Sequence, residues 1–219
     1  MGAGEVLGVL SHRLSPAVEI LLLGAVISLI PVLLVMFTGF VRIVIVLSLL
    51  RMGLGAPSLP PNSVLFTLAL SLTLYSMAPV LSEVRGKALD PYLRGEIGWE
   101  EAVQRGLGPI REFMLSQVEP EDLRLFTPRG ERRLEPEGIP LSSLIPAFVL
   151  GETRKGFMMG FAVTVPLLAV DIAVSVVLLS MGIFMLPPTV ISVPLKIMVF
   201  TLSDGWTLLS RALLLSFRG

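Results

Sequence analysis

Residues 182–188 read Gly182-Ile183-Phe184-Met185-Leu186-Pro187-Pro188 and join two long apolar segments, roughly 157–181 and 189–202. Proline lacks a backbone N–H donor and its ring clashes with the preceding helical turn, so Pro187-Pro188 must interrupt the helix. A turn between two membrane helices usually reaches water and contains polar residues, whereas this turn contains none. Since a non-helical backbone in apolar surroundings needs partners within protein or a lined cavity, we expect this turn to pack against other subunits or to line a passage.

The composition is that of an integral membrane protein. The 219 residues are 53% hydrophobic and 16% charged, with a mean hydropathy of +0.84, whereas charged residues make up about a quarter of ordinary soluble domains. The net charge of +0 provides no basic surface for nucleic acid. Since Cys is absent, a disulfide framework, a Cys-ligated zinc site and a thiol nucleophile are all excluded.

Four principal apolar segments predict an all-α fold within a single membrane domain, residues 1–219. The predicted helices are about 17–50, 63–82, 141–181 and 189–217, and no segment has a convincing strand pattern. As one helix, the first would be about 50 Å long, against about 30 Å for the hydrocarbon core. We therefore expect a kink, for which Pro31 is the best candidate, and we expect Asn62 to cap the second helix.

A polar helical insert, residues 83–140, separates the second and third apolar segments. Between Glu83 and Gly138 lie nine basic and twelve acidic residues, a net charge of −3. Two short amphipathic helices are predicted here, near Trp99 and near Gly108, with Pro109 in the first turn of the second, followed by a loop at 127–140. The positive-inside rule places the 51–62 connection in the cytoplasm and the insert outside, which puts the 182–188 turn on the cytoplasmic side.

The N-terminal apolar run, 17–41, is predicted to be a retained membrane segment. No basic region stands directly before it, and no small-residue cleavage site follows it. A signal anchor and a presequence that is removed both remain open as alternatives.

Asp171 and Lys196 each lie in apolar surroundings, where a charge is costly in lipid unless it is paired or faces a cavity. In a helical hairpin the two would lie about 16 and about 12 Å from the turn, close enough for the lysine side chain to reach the carboxylate. A pair within or between subunits, snorkelling to an interface, and a proton or ion relay all remain open.

Two further charged groups stand in the apolar part of the chain. Glu152 and Lys155 have the spacing of an ion pair on one helix face, with a solvated helix end as the alternative. Asp204-Gly205-Trp206 combines an acid, a helix breaker and an aromatic residue, which is typical of a membrane-boundary anchor. The predicted buried charge network consists of Glu152, Asp171, Lys196 and Asp204.

No pattern of enzymatic chemistry is present. His12 is the single histidine and lies near the N-terminus, where it is a poor candidate for a catalyst or a metal ligand. The sequence has no glycine-rich phosphate loop, HExxH or GxSxG motif, and no base is available to complete a catalytic triad. We therefore predict a non-enzymatic protein without cofactor or metal.

Several motifs in a fixed order resemble the FliP family, called SctR in the virulence systems. The first are Arg42-Ile-Val-Ile-Val-Leu-Ser-Leu-Leu-Arg51, Pro60-Pro-Asn-Ser-Val-Leu65, Ala69-Leu70 and Met77-Ala-Pro-Val80. They are followed by Leu144-Ile-Pro-Ala-Phe-Val149, Glu152, Pro166 and Asp171. The last are Ser180-Met-Gly-Ile-Phe-Met-Leu-Pro-Pro188, Ile191-Ser192, Pro194, Lys196 and Asp204-Gly-Trp206. The resemblance covers most of the chain outside 1–20 and 83–138.

The resemblance implies a pore-forming core component of the type III secretion export gate. Members of the family form a homopentamer that joins two smaller membrane proteins, FliQ and FliR or their virulence equivalents, among other export-gate and basal-body proteins. The helical cone that they build sits in the basal body of the bacterial inner membrane and passes unfolded substrate proteins outward.

The resemblance also implies a role for the turn. In the family, the turn before Pro-Pro is usually a methionine run that acts as a gasket and seals the closed pore. Here only Met185 keeps methionine, although Ile and Phe also form dry constrictions, since hydrophobic gates work by dewetting. The predicted gate residues are Met181, Ile183, Phe184, Met185, Leu186, Pro187 and Pro188.

Three alternative hypotheses remain beside a flagellar export-gate subunit. Leu186-Pro187-Pro188 resembles the flagellar branch and Thr207-Leu-Leu-Ser210 resembles the virulence branch, and the flagellar branch is favoured. An ion-coupled membrane transporter would use Asp171 and Lys196. A membrane-embedded assembly chaperone would dock through the insert.

Overall fold

The structure, a computed structural model, describes residues 24, 28–29, 31–127 and 138–217. By internal contacts the chain divides into two units, Met1–Met36 and Phe37–Gly219. In the first unit the described residues are helical, and helix α1, Pro31–Phe37, ends one residue into the second. His12, part of the predicted 17–41 segment and residues 128–137 of the predicted loop lie outside the described residues.

The described part of the second unit is built from helices joined by short turns. In chain order they are α2 (Phe40–Leu54), α3 (Asn62–Val84), a π-helix (Arg85–Leu89), α4 (Asp90–Leu93), α5 (Trp99–Gln117), α6 (Pro120–Phe126), α7 (Leu141–Ser180), α8 (Thr189–Leu202) and α9 (Gly205–Leu215). Within the described ranges there is no strand. The prediction of an all-α membrane protein is confirmed.

Among the described residues, two continuous helices are long and apolar enough to cross a membrane. They are Asn62–Leu93 and Leu141–Ser180, of 32 and 40 residues. Up to four spans result if α1 with α2, and α8 with α9, each count as one broken span. At about 1.5 Å per residue, α7 is about 60 Å long and must extend well beyond a hydrocarbon core of about 30 Å.

Helices α2 and α7 run in the same direction and pack through small residues. On α7, Gly156, Gly160 and Thr164 follow one another at four-residue spacing and face, in order, Ile45, Leu49 and Gly53 of α2. A Cβ atom built on Gly160 would lie 2.9 Å from the Leu49 Cβ, closer than side chains normally approach. Small residues at every fourth position allow this close backbone approach, as in other GxxxG interfaces of membrane helices.

The apolar segments predicted at 17–50 and 189–217 are each interrupted, and the described break in the first lies at Thr38 and Gly39, beyond the expected kink at Pro31. Thr38 and Gly39 separate α1 from α2, and a bend of 65° separates α8 from α9. At the second break, Asp204 has φ 53° and ψ 41°, a left-handed conformation that non-glycine residues seldom adopt. Gly205 then leaves room for the Phe200 ring, which lies where a Cβ would be. Hydrophobic periodicity does not predict this break, because the contact between Phe200 and Gly205 forms only in the folded chain.

Two local predictions also differ from the structure. Helix α3 begins at Asn62 with Pro61 before it, and the Asn62 side chain accepts a hydrogen bond from Arg51 instead of capping its own helix. Pro109 lies inside α5, which is one helix from Trp99 to Gln117 and not two. Proline removes only one backbone hydrogen bond, and burial of an amphipathic face outweighs that loss.

The insert obtains its apolar core from α7. Met114 of α5, Ile139, and Leu144 and Phe148 of α7 form a buried cluster. Phe113 packs edge-on against Phe148, with 5.9 Å between ring centroids. Because half of this cluster belongs to α7, we propose that 83–140 is part of one membrane domain and not a separate one.

Candidate functional site

The turn between α7 and α8 is closed by a Schellman motif. Gly182 has φ 74°, and its N–H donates to the Leu179 carbonyl at 3.0 Å. The Ile183 N–H donates to the Leu178 carbonyl, also at 3.0 Å. These are the two hydrogen bonds that satisfy the last carbonyls of a helix, and glycine adopts the required positive φ without steric cost. The chain then leaves α7 sharply and places 183–186 beyond the helix end.

The tip of this turn is apolar and is not covered by any of the residues that the structure describes. Met185 is 97% exposed and Phe184 is 76% exposed. Ile183 and Leu186 instead face back toward α7 and α8, where they line an apolar cleft of about 460 Å³. Of the predicted gate residues, Phe184 and Met185 therefore lie at the exposed tip, Met181, Ile183 and Leu186 line the cleft, and Pro187 and Pro188 lead into α8.

Lys196 ties three helices together near this hairpin. Its Nζ lies 2.5 Å from Asp171 Oδ2 on α7 and donates to the Gly53 carbonyl of α2 at 2.9 Å. Gly53 is in the last turn of α2, whose carbonyls lack intrahelical partners and form the negative end of the helix dipole. Lys196 is 3% exposed, whereas the Asp171 side chain is 32% exposed. The lysine is thus a buried helix cap that is also neutralised by a carboxylate.

Replacing Lys196 with methionine is expected to destabilise the protein more than replacing Asp171 with asparagine. The first change leaves both a carboxylate and the Gly53 carbonyl unpaired, while an asparagine oxygen still accepts from the lysine. We expect a loss on the order of 2–3 kcal/mol for Lys196→Met, below that of a fully buried pair since Asp171 is partly exposed. Detergent-to-SDS unfolding followed by far-UV circular dichroism measures this loss, and equal losses in the two variants would contradict the capping role.

Arg42 is the centre of a second buried cluster. Its Nε and one Nη bond both oxygens of Glu152, a bidentate pair with neither side chain accessible to solvent. The same Nη donates to Gln117 Oε1 at 3.0 Å, and the other Nη donates to the backbone and side-chain oxygens of Ser216 at 2.8 and 2.9 Å. All five guanidinium N–H donors are therefore satisfied. The Phe217 ring covers the cation, with 4.1 Å from Cζ to the ring centroid.

This cluster joins four parts of the fold: α2, α7, the end of α5 and the segment after α9. Lys155 strengthens the same junction by donating to the Gln117 carbonyl at 2.6 Å. Nearby, Arg154 binds Asp122 and, at 3.0 Å, Glu119 and so attaches α6 to α7. The insert and the C-terminal segment are thus held against the apolar helices by charges and not only by apolar contact.

The predicted charge network is in fact two separate clusters. Glu152 and Asp171 are 19 positions apart on α7, about 28 Å along the helix. Glu152 pairs with Arg42, and a Glu152–Lys155 pair is absent from the salt bridges of the described residues. Asp204 does not join either cluster in this chain: its side chain is exposed, because it stands at the sharp turn between α8 and α9. There Trp206 packs edge-on against Phe200.

Sequence reasoning missed Arg42 and the small-residue stripe of α7. Both signals were present: Arg42 is a charge in a long apolar run, which demands a partner, and Gly156-xxx-Gly160-xxx-Thr164 has the spacing of a helix-packing motif. Within the described ranges, no group of three or more His, Cys, Asp or Glu side chains is arranged to hold a metal ion. The candidate site therefore consists of an apolar turn, an apolar cleft and ion pairs between helices of the chain.

The comparison with protein families connects this arrangement to a known group. The model of the FliP family matches residues 22–213, which include the turn and both charge clusters except Ser216 and Phe217. The chain belongs to the FliP family. The match extends through the polar insert, where the sequence motifs gave no resemblance.

Curated members of the FliP family are similar over nearly the whole chain. A flagellar biosynthetic protein FliP of Pectobacterium carotovorum subsp. carotovorum is 45% identical over 203 residues, covering 92% of this chain and 79% of the relative. The protein of that name from Bacillus subtilis (strain 168) is 44% identical over 209 residues, 94% of each chain. That of Aquifex aeolicus (strain VF5) is 40% identical over 211 residues, 94% of this chain and 88% of the relative.

Proposed function

We propose that this chain is a pore-forming core subunit of the flagellar type III protein export gate, passing unfolded substrate proteins across the inner membrane during flagellum assembly. Membership of the FliP family and relatives named as flagellar biosynthetic proteins support a component of the flagellar export apparatus. They favour the flagellar system over the virulence system. The FliP family is not known to be enzymatic, and we propose a non-enzymatic role without a cofactor.

The observation that carries the pore proposal is the apolar tip of the turn. The helical hairpin ends in an exposed phenylalanine and methionine, an apolar surface that the described part of the chain leaves uncovered. The Schellman motif and the anchored Ile183 and Leu186 hold this tip in a defined position instead of leaving it free to collapse. A ring of such tips forms a dry constriction that excludes ions and water.

The outer face of α7 supports assembly into a larger complex or contact with lipid. Exposed apolar side chains recur along it at helical spacing, for example Phe157, Phe161, Leu168 and Ile172. We propose a homopentamer that joins FliQ and FliR and other export-gate proteins in the inner membrane, with the tips of five copies around a common axis. In this arrangement the two charge clusters position the hairpin within each copy.

The alternative hypothesis of an ion-coupled transporter has no supporting observation as strong as the apolar tip is for the gate. A relay through Asp171 and Lys196 would need groups free to exchange protons or ions. Lys196 instead has two protein partners and serves as the cap of α2. We therefore interpret the pair as a structural element of the gate subunit.

Replacing residues 183–185 by three glycines is expected to make the assembled gate leak. Glycine removes the apolar side chains that would dewet the constriction but keeps the turn length and the Pro187-Pro188 helix start. Conductance of the purified assembled complex in planar bilayers measures the leak, and we expect a clear rise over the closed wild-type complex.

The matched control places three glycines in another exposed turn of the same chain, at Arg94, Glu96 and Ile97. This variant is expected to remain closed. Unchanged conductance in the 183–185 variant, with the complex intact by native mass spectrometry, would contradict the gate assignment. A complex that does not contain several copies of this chain would contradict the oligomeric part of the proposal.

A further inference from the structure

A groove between α3 and α9 contains neither the turn nor a member of the two charge clusters in its lining. It has a volume of about 580 Å³ and is lined by Tyr75 of α3 and by two adjacent rows of α9. One row contains Trp206, Ser210 and Leu214, and the other contains Thr207 and Arg211. Since residues four apart in a helix lie one above the other, each row is a continuous strip of the groove wall.

Arg211 is a cation without a partner in this groove. It forms no salt bridge or hydrogen bond with any residue in the described part of the chain, and the described groove-lining side chains include no acid. It stands within the apolar helix pair α8–α9, one of the candidate spans. A cation within a membrane span is costly unless it reaches an anionic partner. By contrast, Arg42 and Lys196 are fully matched by partners within the chain.

The other groove residues suit a lipid headgroup. Thr207 and Ser210 provide hydroxyl groups on the same wall as Arg211, while Trp206 and Tyr75 are of the amphipathic type found at the membrane interface. Tyr75 lies eight positions before Glu83, the first charged residue of α3, or about 12 Å along the helix. An arginine at this depth can extend its guanidinium toward the phosphate level.

A second cleft, lined by both apolar and polar side chains, continues from the same place. It shares Tyr75 and Leu214 with the groove and extends along Ser76, Ala78 and Pro79 to Phe217, the ring that covers the Arg42 guanidinium. The cation and hydroxyl groups of the groove suit a headgroup, and the side chains of Ala78, Pro79, Leu214 and Phe217 offer an acyl chain apolar contacts.

We propose that the α3–α9 groove binds an anionic phospholipid, with Arg211 donating to the headgroup phosphate and an acyl chain lying along Leu214 and Pro79. The guanidinium fork matches phosphate oxygens in a bidentate manner, and basic pockets between membrane helices are known to select anionic headgroups. The bound lipid would fill the groove and neutralise the one cation of α9.

The chain permits a direct optical test because it has two tryptophans, Trp99 in the insert and Trp206 in the groove. In the full-length Trp99→Phe variant, purified in mild detergent, Trp206 is the sole indole. This protein is titrated with phosphatidylglycerol or phosphatidylcholine that carry the same brominated acyl chains, which quench a nearby indole. We expect phosphatidylglycerol to reach half-maximal quenching at an about five-fold lower mole fraction, the effect of one arginine near an anionic lipid.

The Arg211→Gln variant in the same background is expected to bring the phosphatidylglycerol curve onto the phosphatidylcholine curve. Arg94→Gln, an exposed arginine of the insert, is the matched control and is expected to leave the preference intact. Equal quenching by the two lipids before any change at Arg211 would overturn the proposal without relying on the folding of a groove variant. Protection of Trp206 from both lipids, as by a second copy or a partner chain, or a preference that persists in Arg211→Gln, would also overturn it.

Discussion

Replacing Arg42 with leucine is expected to lower the free energy of unfolding by about 3–5 kcal/mol, the usual effect of removing one partner from a buried ion pair. Glu152 would keep its charge with no access to solvent, and the oxygens of Gln117 and Ser216 would lose their donors. The end of α5 and the segment after α9 would be released together. SDS-induced unfolding of the detergent-solubilised protein, followed by far-UV circular dichroism, measures the change.

Arg85→Leu is the control for this variant. Arg85 forms its ion pair with Asp90 at 3.3 Å on the protein surface, and exposed pairs of this kind contribute less than about 1 kcal/mol. The double variant Arg42→Leu with Glu152→Leu should recover part of the loss, since it removes the uncompensated charge. Similar losses for Arg42→Leu and Arg85→Leu would mean that the Arg42 cluster does not hold these helices together.

The same small change, glycine to alanine, is expected to have opposite effects at two positions. At Gly160 a new Cβ meets the Leu49 Cβ at 2.9 Å, so α2 and α7 must separate. Overpacking of this kind costs about 1–3 kcal/mol. At Gly86, an exposed glycine of the π-helix, a Cβ meets nothing within 4 Å, and the lower entropy of the unfolded chain should stabilise the protein by about 0.4–1 kcal/mol.

The pair of glycine variants is measured in the same unfolding assay. Both changes add one methyl group to a helical glycine, so helix propensity contributes similarly to each. The difference between their free energies of unfolding therefore reports the cost of packing at Gly160. We also expect Gly160→Ala, and not Gly86→Ala, to reduce swimming motility, as the flagellar proposal requires. Stabilisation by both variants would show that the α2–α7 interface has room for a larger residue and is not closely packed.

The helices were predictable where one physical property is continuous along the chain. The long apolar runs at 63–82 and 141–181 became α3 and α7, since each run contains enough apolar residues to favour a helix in lipid. The interruptions between helices were harder to predict from the sequence. Gly39 and Asp204 interrupt helices without proline, and the second break depends on the Phe200 ring occupying the space beside Gly205. A contact of this kind arises only when the chain is already folded.

The candidate site also has one part that was predictable from single residues and another that depends on the folded chain. The turn was predictable from Gly182 and Pro187-Pro188, because positive φ and the missing N–H are properties of single residues. The gate role of its tip remains a prediction. The proximity of Lys196 to Asp171 was one of several possibilities, but its bond to the Gly53 carbonyl could not be anticipated, since that group is 143 positions away in the chain.

What the sequence alone determined is therefore the class of the protein, its apolar helices and the position of its apolar turn. Hydropathy, proline and glycine act locally, and a reader of the sequence can evaluate them residue by residue. Only the tertiary structure decided the partners of the buried charges, with Arg42 assigned to Glu152, Gln117 and Ser216 and Lys196 to Asp171 and Gly53. The physical reason is that a charge in an apolar medium requires a partner but does not specify which one, and helix packing makes that choice.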